Sequence, residues 1–315
     1  MASSTEAPPR RNRTPRRPGD RIFAGVSTGS GVLILVALAG VAVFLVTEAW
    51  PALTAPAEDI PGGEGLVVYI WPLLFGTLIS AVLALVIAVP LAVAIALFIT
   101  YYAPRSIAKA LGYIIDLLAA VPSIIFGLWG MNVLAPVTVD PASWLSEHVG
   151  WIPFFAGPAS STGRTMLVAI IVLAVMVLPI ITAVVREAFT QTPQLHQEAA
   201  LAIGATRWEM IRMAALPFGR SSIIGASMLG LGRALGETMA VAMVLSASAG
   251  VTFDLISSEN PPTIAANIAL QFPEATGVGM NTLIASGLVL FAITLAVNMI
   301  ARAVINRRKD FDGAN

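Results

Sequence analysis

The chain contains no cysteine and only two histidines, His148 and His196, among its 315 residues. The missing thiols exclude a disulfide framework and a thiolate metal site, and two histidines so far apart in sequence do not suggest an imidazole site. We therefore expect neither a metal nor a cofactor. Charged residues are also scarce, at 11%, whereas hydrophobic residues make up 57% and the mean hydropathy is +0.84. This composition is too apolar for a soluble domain and indicates a polytopic membrane protein.

Motifs of the common enzyme classes are missing as well. The sequence has no G-x-x-x-x-G-K-[ST] phosphate cradle, so the chain is not expected to bind or hydrolyse ATP itself. It has no G-x-S-x-G or H-E-x-x-H pattern, and the glycines of 230–236 have the wrong spacing for a dinucleotide site. These absences argue against an enzyme of these classes.

Six apolar stretches predict an all-α fold with six transmembrane helices. They are approximately 22–46, 70–99, 110–134, 165–185, 221–245 and 281–304. We expect a disordered basic cytoplasmic tail (1–21), a first transmembrane helix with an outer loop (22–69), a core with five transmembrane helices (70–306) and a cytoplasmic C-terminal tail (307–315). A short surface helix is predicted at 263–272.

Basic residues indicate the orientation, because cytoplasmic loops of membrane proteins carry an excess of Lys and Arg. Sixteen of the eighteen basic residues lie in the two termini and in the two loops on their side. The opposite loops contain only Arg164 but nine acids. Those acids are Glu48, Glu58, Asp59, Glu64, Asp140, Glu147, Asp254, Glu259 and Glu274. Both termini and the loop 186–220 are therefore predicted to be cytoplasmic.

The loop 186–220 contains signals for two short helices. Thr192 is placed to cap the first helix, and Gly204 is placed to end it. Thr206 and Glu209 have the spacing of a capping box for the second helix, which Pro217 is expected to terminate. One side of the first helix is apolar and consists of Leu195, Ala199, Ala202 and Ile203. Such a surface on a polar loop suits a groove on a partner protein, although an ordinary solvated helix pair is the alternative.

Two charges stand in the fifth predicted span. Arg233 lies about 12 residues into it, near the middle of a hydrocarbon core about 30 Å thick. A guanidinium there must face protein or water and be paired, and Glu237 at i+4 is the nearest candidate. Gly232 and Gly236 form a small-xxx-small pattern on which another helix can pack.

At these residues the sequence resembles a known family. Glu198-Ala199-Ala200, Gly204 and Leu216-Pro217 resemble the EAA loop of permease subunits of bacterial ABC importers, the segment that docks into the ATPase. The segments 121–127 and 230–241 narrow the resemblance to PstC-type permeases of phosphate importers, and it extends over about 73–306.

The resemblance implies a type I ABC importer permease in the bacterial inner membrane, with Glu198, Ala199, Ala200, Gly204, Leu216 and Pro217 in ATPase coupling. It also implies four kinds of partner and no nucleic acid. The partners are a second permease of the PstA type, an ATPase dimer of the PstB type, an extracytoplasmic phosphate-binding protein of the PstS type, and membrane lipid.

Alternatives stay open for the buried polar groups. Arg233 and Glu237 either form an ion pair that locks two membrane subunits together or line the substrate path. In the path, Arg would bind the anion in a bidentate manner and Glu would accept the proton that hydrogen phosphate retains and sulfate lacks. Ser123, next to Pro122, either belongs to a simple kink or faces the same path. Asp116 is interpreted as an interface residue.

Two functions other than phosphate import fit part of the sequence. Another oxyanion or small solute would suit the same permease, and a secondary transporter would also carry mid-membrane charges. A secondary transporter would have no use for an EAA loop.

Overall fold

The computed structural model describes the backbone of residues 18–248 and 250–312, and the side chains of 22–248 and 250–303. The described part is all α-helical apart from one isolated β-bridge between Ala247 and Asn260. Its helices are α1 (Pro18–Thr54), α2 (Leu66–Leu97), α3 (Arg105–Ala119), α4 (Ser123–Trp129), α5 (Ala135–Val149), α6 (Met166–Thr190), α7 (Gln194–Ala202), α8 (Arg207–Met210), α9 (Leu216–Leu235), α10 (Met239–Val244), α11 (Ile264–Gln271) and α12 (Val278–Asp312). Short 3₁₀ turns occur at Ala57–Asp59 and Pro153–Phe155.

Both predicted tails differ from expectation where the structure describes them. Residues 1–17 of the N-terminal tail lie outside the described residues, and α1 already begins at Pro18. At the other end, α12 continues to Asp312, beyond the predicted core boundary at 306. The chain divides into two compact units, one ending at Thr47 and the other beginning at Glu48.

Helix α6 forms the centre of the second unit. It packs against α2, α3 and α9, and among the long apolar helices it is the most buried. Helix α2 meets it through a ladder of fully buried alanines, Ala84, Ala88, Ala92 and Ala96, at a spacing of four residues. Because these side chains are small and fall on one face of α2, the two helices can approach closely.

Three π-helical turns interrupt the helices, and each ends two residues before a proline. They are Phe98–Tyr102 before Pro104, Gly130–Leu134 before Pro136, and Ile211–Ala215 before Pro217. Pro136 and Pro217 lie within the continuing helices, where a proline has no N–H and its ring collides with the carbonyl four residues earlier, so a widened turn gives the ring room. Pro104 instead lies in the break before α3. The prediction that Pro217 ends a helix is therefore wrong, because the chain stays helical through α8, the π turn and α9.

Five described helices are long and apolar enough to cross a membrane. They are Ile22–Thr54, Leu66–Tyr102, Ser123–Val149, Met166–Thr190 and Val278–Ala303. The stretch predicted as the fifth of six spans, 221–245, consists instead of α9 and the short α10, which are separated by 236–238. The count of six spans stays a prediction.

The predicted third span, 110–134, needs correction. Helix α3 ends at Ala119 and a new helix begins at Ser123, because Pro122 disfavours helical backbone at the preceding residue and cannot donate a hydrogen bond. The apolar helical stretch then continues to Val149, through residues that we expected in an outer loop. The boundaries of this span are therefore shifted by about 14 residues.

Asn260, whose side chain is fully buried, fastens the segment 245–263 to the start of α6. Its amide nitrogen donates to the carbonyls of Ser246 (3.0 Å) and Ser257 (2.9 Å), and its oxygen accepts from the Met166 N–H (3.0 Å). Helix α11 follows and is capped by the Thr263 hydroxyl. The first half of α11 is buried against its neighbours, so the prediction of a surface helix there is wrong in its placement.

Candidate functional site

Helix α7 ends as the sequence predicts. Gly204 has a φ of +88°, its N–H donates to the Leu201 carbonyl (3.0 Å), and the Ala205 N–H donates to the Ala200 carbonyl (3.3 Å). These two bonds and the left-handed glycine form a Schellman motif. The start of α7 differs from the prediction, since Pro193 occupies the cap position and no side chain caps the helix.

The predicted capping box of α8 is confirmed. The Thr206 hydroxyl accepts from the Glu209 N–H (3.3 Å), and Glu209 Oε2 accepts from the Thr206 N–H (2.8 Å). The Thr206 backbone N–H and then its hydroxyl lower the pKa of Glu209, because both stabilise the carboxylate. The box fixes the direction in which α8 leaves the turn at Gly204.

The apolar side of the α7–α8 pair, which we call the coupling surface, is uncovered in the described chain. Leu195 and Ile203 are 75% and 79% exposed, and Leu201, Trp208 and Met213 are also exposed. Of the residues predicted for ATPase coupling, Glu198, Ala199, Gly204 and Pro217 are exposed, Leu216 is half-buried and Ala200 is buried. A groove of about 480 Å³ runs beside Gly204 and is lined by Ile203, Gly204, Ala205, Glu209, Arg212 and Met213.

Tyr101 fixes the coupling surface to the rest of the chain. Its hydroxyl donates to the Phe189 carbonyl (3.2 Å) and lies 3.4 Å from Thr192 Oγ1. Its own carbonyl accepts from Arg207 Nη1 (3.4 Å). Thr192 is buried against Tyr101, which explains why its side chain is not free to cap α7. Tyr101, in the π turn that follows α2, thus holds the end of α6 and the start of α8.

Asp116 and Arg186 form a second cross-link, with Arg186 Nη2 at 3.3 Å from Asp116 Oδ1 and 3.4 Å from Oδ2. It connects α3 to the end of α6. This is the one salt bridge among the residues whose side chains are described. Asp116 is exposed in the described chain, and its interpretation as an interface residue stays a prediction. Its partner could not be foreseen across 70 residues.

The break between α3 and α4 lies beside the break between α9 and α10. An ideal Cβ on Gly127 of α4 would be 2.8 Å from the Ala240 Cα of α10, and one on Gly130 would be 2.8 Å from Val244 Cγ1. The order of these contacts shows that α4 and α10 run in the same direction. One turn back along each helix, Ser123 and Glu237 therefore stand at a similar level, where α4 and α10 begin.

Glu237 lies in the break between α9 and α10 and is 7% exposed. Its Oε1 accepts from the Ala240 N–H (3.1 Å), so one carboxylate oxygen satisfies a free donor at the start of α10. Its Oε2 has no hydrogen-bond partner among the described residues. The predicted interpretation of Glu237 as the i+4 neighbour of Arg233 on a continuous helix is wrong, because α9 ends at Leu235.

Arg233 is half-buried on the side of α9 that faces α12. It lines a groove of about 490 Å³ together with Gly225, Met228, Leu229, Gly232, Asn298, Ala301 and Arg302. It forms no salt bridge with Glu237 or any other described acid. Gly232 has no heavy atom within 4 Å of an ideal Cβ and Gly236 has only the Gly232 carbonyl, so the small-xxx-small face is uncovered in this chain.

Arg164, the one basic residue of the predicted outer loops, makes contacts that the sequence does not predict. Its Nη2 donates to the Ala242 carbonyl (3.4 Å), its carbonyl accepts from the Ser246 N–H (3.3 Å), and its Nε is buried without a partner. Both bonds hold the end of α10. No sequence signal besides its isolation among acidic loops distinguishes it.

Comparison with known proteins gives the family. The family described as "Binding-protein-dependent transport system inner membrane component" matches residues 88–310. The phosphate transport system permease protein PstC 2 of Mycobacterium tuberculosis (strain ATCC 25618 / H37Rv) is 44% identical over 304 residues, covering 92% of this chain and 93% of the relative. The phosphate transport system permease protein PstC of Mycobacterium leprae (strain TN) is 42% identical over 301 residues, covering 92% and 94%. This chain belongs to the PstC permease family.

Solved structures share the fold of this PstC-family chain. A bacterial ABC transporter involved in the import of the acidic polysaccharide alginate has a TM-score of 0.58 at 16% identity, with 91% of this chain and 96% of that chain covered. The MetNI methionine ABC transporter, in an inward-facing conformation, has a TM-score of 0.51 at 20% identity, with 77% and 95% covered. At these identities the likeness concerns the fold alone.

The chain is thus a multi-pass permease of the inner membrane with the all-α fold of ABC importer permeases. It is a transport component, not an enzyme, and it works with other components in a binding-protein-dependent system. This agrees with the family resemblance found in the sequence.

Proposed function

We propose that this permease is the membrane-spanning subunit of a phosphate importer and forms, with a second permease, the path by which inorganic phosphate enters the cytoplasm. The observation that carries the proposal is the 44% identity, over 92% of the chain, to a relative named as a phosphate transport permease. A half-buried guanidinium and a buried carboxylate in the same chain are suitable groups for handling a protonated oxyanion.

The partners follow from this role. A PstA-type permease completes the path, a PstB-type ATPase dimer drives it, and a PstS-type binding protein delivers phosphate from outside. The acidic outer loops support delivery by a receptor, since they do not attract a free anion. Membrane lipid surrounds the apolar helices.

The proposed topology has six crossings, with both termini and the coupling surface in the cytoplasm. Helices α9 and α10 together make the fifth crossing, which is discontinuous at 236–238. Broken helices are common in transporters where backbone groups line a polar path instead of lipid. The excess of Arg and Lys on the proposed inner side supports this orientation.

The coupling surface is the proposed ATPase contact, with Glu198, Ala199, Ala200, Gly204, Leu216 and Pro217 as its motif residues. Its exposed Leu195, Ile203 and Trp208 supply apolar area, and Tyr101 connects it to α2 and α6. A push on α7 and α8 therefore reaches two long helices through hydrogen bonds and not through a flexible loop.

Ser123 and Glu237 are proposed to line the path at the paired helix breaks. Glu237 Oε1 is engaged by the Ala240 N–H, which leaves Oε2 to accept the proton of hydrogen phosphate. Sulfate has no proton to donate at neutral pH, so the same oxygen would disfavour it. The Ser123 hydroxyl can donate to a phosphate oxygen from the facing break.

Arg233 is the proposed cation of the path. Its guanidinium keeps its proton at any physiological pH, and its planar fork matches two phosphate oxygens. Because it is not paired with Glu237 in this conformation, the two residues act at separate points and not as one ion pair. A role in locking two permeases together remains the alternative that the experiment addresses.

The test is uptake of radiolabelled phosphate in cells that lack other phosphate importers. Arg233→Lys keeps the charge but loses the bidentate fork, so we expect uptake to fall by about tenfold, whereas Arg220→Lys on the exposed start of α9 serves as the matched control. Membrane abundance and copurification of the ATPase are measured in parallel. Normal uptake by Arg233→Lys and Arg233→Gln would remove Arg233 from the path, and equal competition by sulfate would contradict phosphate as the substrate.

A further inference from the structure

The groove beside Arg233 contains a second guanidinium. Helix α9 contributes Gly225, Met228, Leu229, Gly232 and Arg233, and α12 contributes Asn298, Ala301 and Arg302. Its volume is about 490 Å³. The residues that line it include two arginines and one amide but no acid, so the groove is positively charged.

Glycines leave the α9 side of this groove open. An ideal Cβ on Gly225 or Gly232 would find no heavy atom within 4 Å. A bound group can therefore lie against the helix backbone between the two arginines. Neighbouring Ala301 is buried, while Asn298 and Arg302 are exposed and can turn toward a ligand.

The position of the groove restricts its occupant. Arg302 is followed in the sequence by the basic residues Arg307, Arg308 and Lys309, so it lies near the end of the proposed crossing, close to the membrane surface. With the proposed orientation this is the cytoplasmic surface. Arg233 lies deeper, and Asn298 is one helical turn further into the membrane than Arg302. The three polar groups thus extend from inside the membrane to its inner surface.

We propose that Arg302 and Asn298, together with Arg233, form a binding site for a phosphate group at the cytoplasmic end of the permease. Two guanidinium forks and an amide N–H match the oxygens of a phosphate group. The second guanidinium also balances the second charge that orthophosphate carries at neutral pH, whereas a phospholipid phosphodiester carries one. The group belongs either to orthophosphate leaving the path or to the headgroup of a phospholipid. The orthophosphate case rests on the proposed function, whereas the headgroup case does not.

The experiment uses the complete transporter, reconstituted in ATP-loaded vesicles and supplied with orthophosphate by its binding protein. One set of vesicles is made of phospholipid and a second set of a phosphate-free galactolipid. Arg302→Gln is compared with Arg220→Gln, an exposed arginine of α9 that does not line the groove. Rates are expressed per assembled complex, which removes effects on folding and assembly.

We expect Arg302→Gln to lower orthophosphate uptake by at least about tenfold in phospholipid vesicles, because it removes charge-assisted hydrogen bonds. A defect of equal size in galactolipid vesicles identifies orthophosphate as the occupant. A defect that disappears there, together with less phospholipid retained by the purified variant, identifies the headgroup. Uptake equal to that of Arg220→Gln in both sets overturns the proposal.

Two further outcomes separate this inference from the proposed function. If Arg233→Gln lowers uptake while Arg302→Gln does not, the path stands and this site fails. If Arg302→Gln instead reduces copurification of the second permease and has a normal rate per complex, the groove pairs with a carboxylate of that subunit and the proposal is wrong. Failure of the wild-type transporter to import orthophosphate would contradict the proposed function, and phospholipid retention would still test the headgroup site.

Discussion

Replacing Gly204 by Asp should uncouple transport while the chain still folds. The Gly204 backbone has a φ of +88°, where a side chain costs about 1–2 kcal/mol. No heavy atom lies within 4 Å of an ideal Cβ, so no steric clash adds to this cost. A loss of this size is small beside the stability of about 5–15 kcal/mol that is typical of folded domains.

If the coupling surface is the ATPase contact, as proposed, the larger effect of Gly204→Asp falls on that contact. The new carboxylate would stand beside Ile203 at the centre of the coupling surface. A charge buried without a partner costs about 3–5 kcal/mol. Since each 1.4 kcal/mol is a factor of ten, docking should weaken by at least about 100-fold.

The chain offers a matched control in Gly63, whose φ is +71° and whose ideal Cβ also meets nothing within 4 Å. Gly63→Asp introduces the same side chain at a similar backbone, on the proposed outer side. Radiolabelled phosphate uptake is measured for both variants, together with membrane abundance and copurification of the ATPase. If Gly204→Asp transports like Gly63→Asp at equal abundance, the coupling surface is not the ATPase contact.

Three further predictions follow from the site. Glu237→Gln should keep the bond from the Ala240 N–H and the fold but lower phosphate uptake about tenfold, and uptake at the wild-type rate with normal abundance would exclude proton acceptance by Glu237. A cysteine at 259 should react with an impermeant thiol reagent added outside and one at 315 should not, and the reverse labelling would invert the topology. The pKa of Glu209 is lowered in the folded chain, so its carboxylate should keep the capping bonds through the pH range in which Glu usually titrates. The bonds should be lost only as pH falls through the lower pKa of the folded chain. Hydrogen exchange at the Thr206 amide should therefore show protection that declines at acidic pH in the wild type, and an unchanged decline in Glu209→Gln would refute the assignment.

Local rules predicted the turn between α7 and α8. Gly204, Thr206 and Glu209 act through bonds that span three to five residues, so their spacing in the sequence contains the needed information. The family resemblance also rested on contiguous motifs, and the comparisons confirm it.

Features that depend on distant residues could not be predicted. The average hydropathy of a stretch of residues does not reveal that α9 ends at Leu235. If the helix continued, Glu237 would lie one turn beyond Arg233 and would be a suitable partner for it. The bond of Glu237 to Ala240, the Asp116–Arg186 pair and the contacts of Tyr101 depend on where helices end and which helices meet. Pro217 was misjudged because its cost depends on whether the preceding turn can widen.

The π turn at Ile211–Ala215 sets the rotational phase between the coupling surface and the membrane helix. Gly219 and Gly230 of α9 pack on Phe189 and Ile181 of α6, which fixes the face of α9 that is turned toward α6. An α-helix rotates about 100° per residue, so losing one residue from the turn would swing Trp208 by about that angle around the helix axis. Composition and hydropathy would hardly change, yet the apolar surface would face a different direction. By preventing this turn from tightening, Pro217 keeps the coupling surface at a fixed angle to the face of α9 that packs on α6.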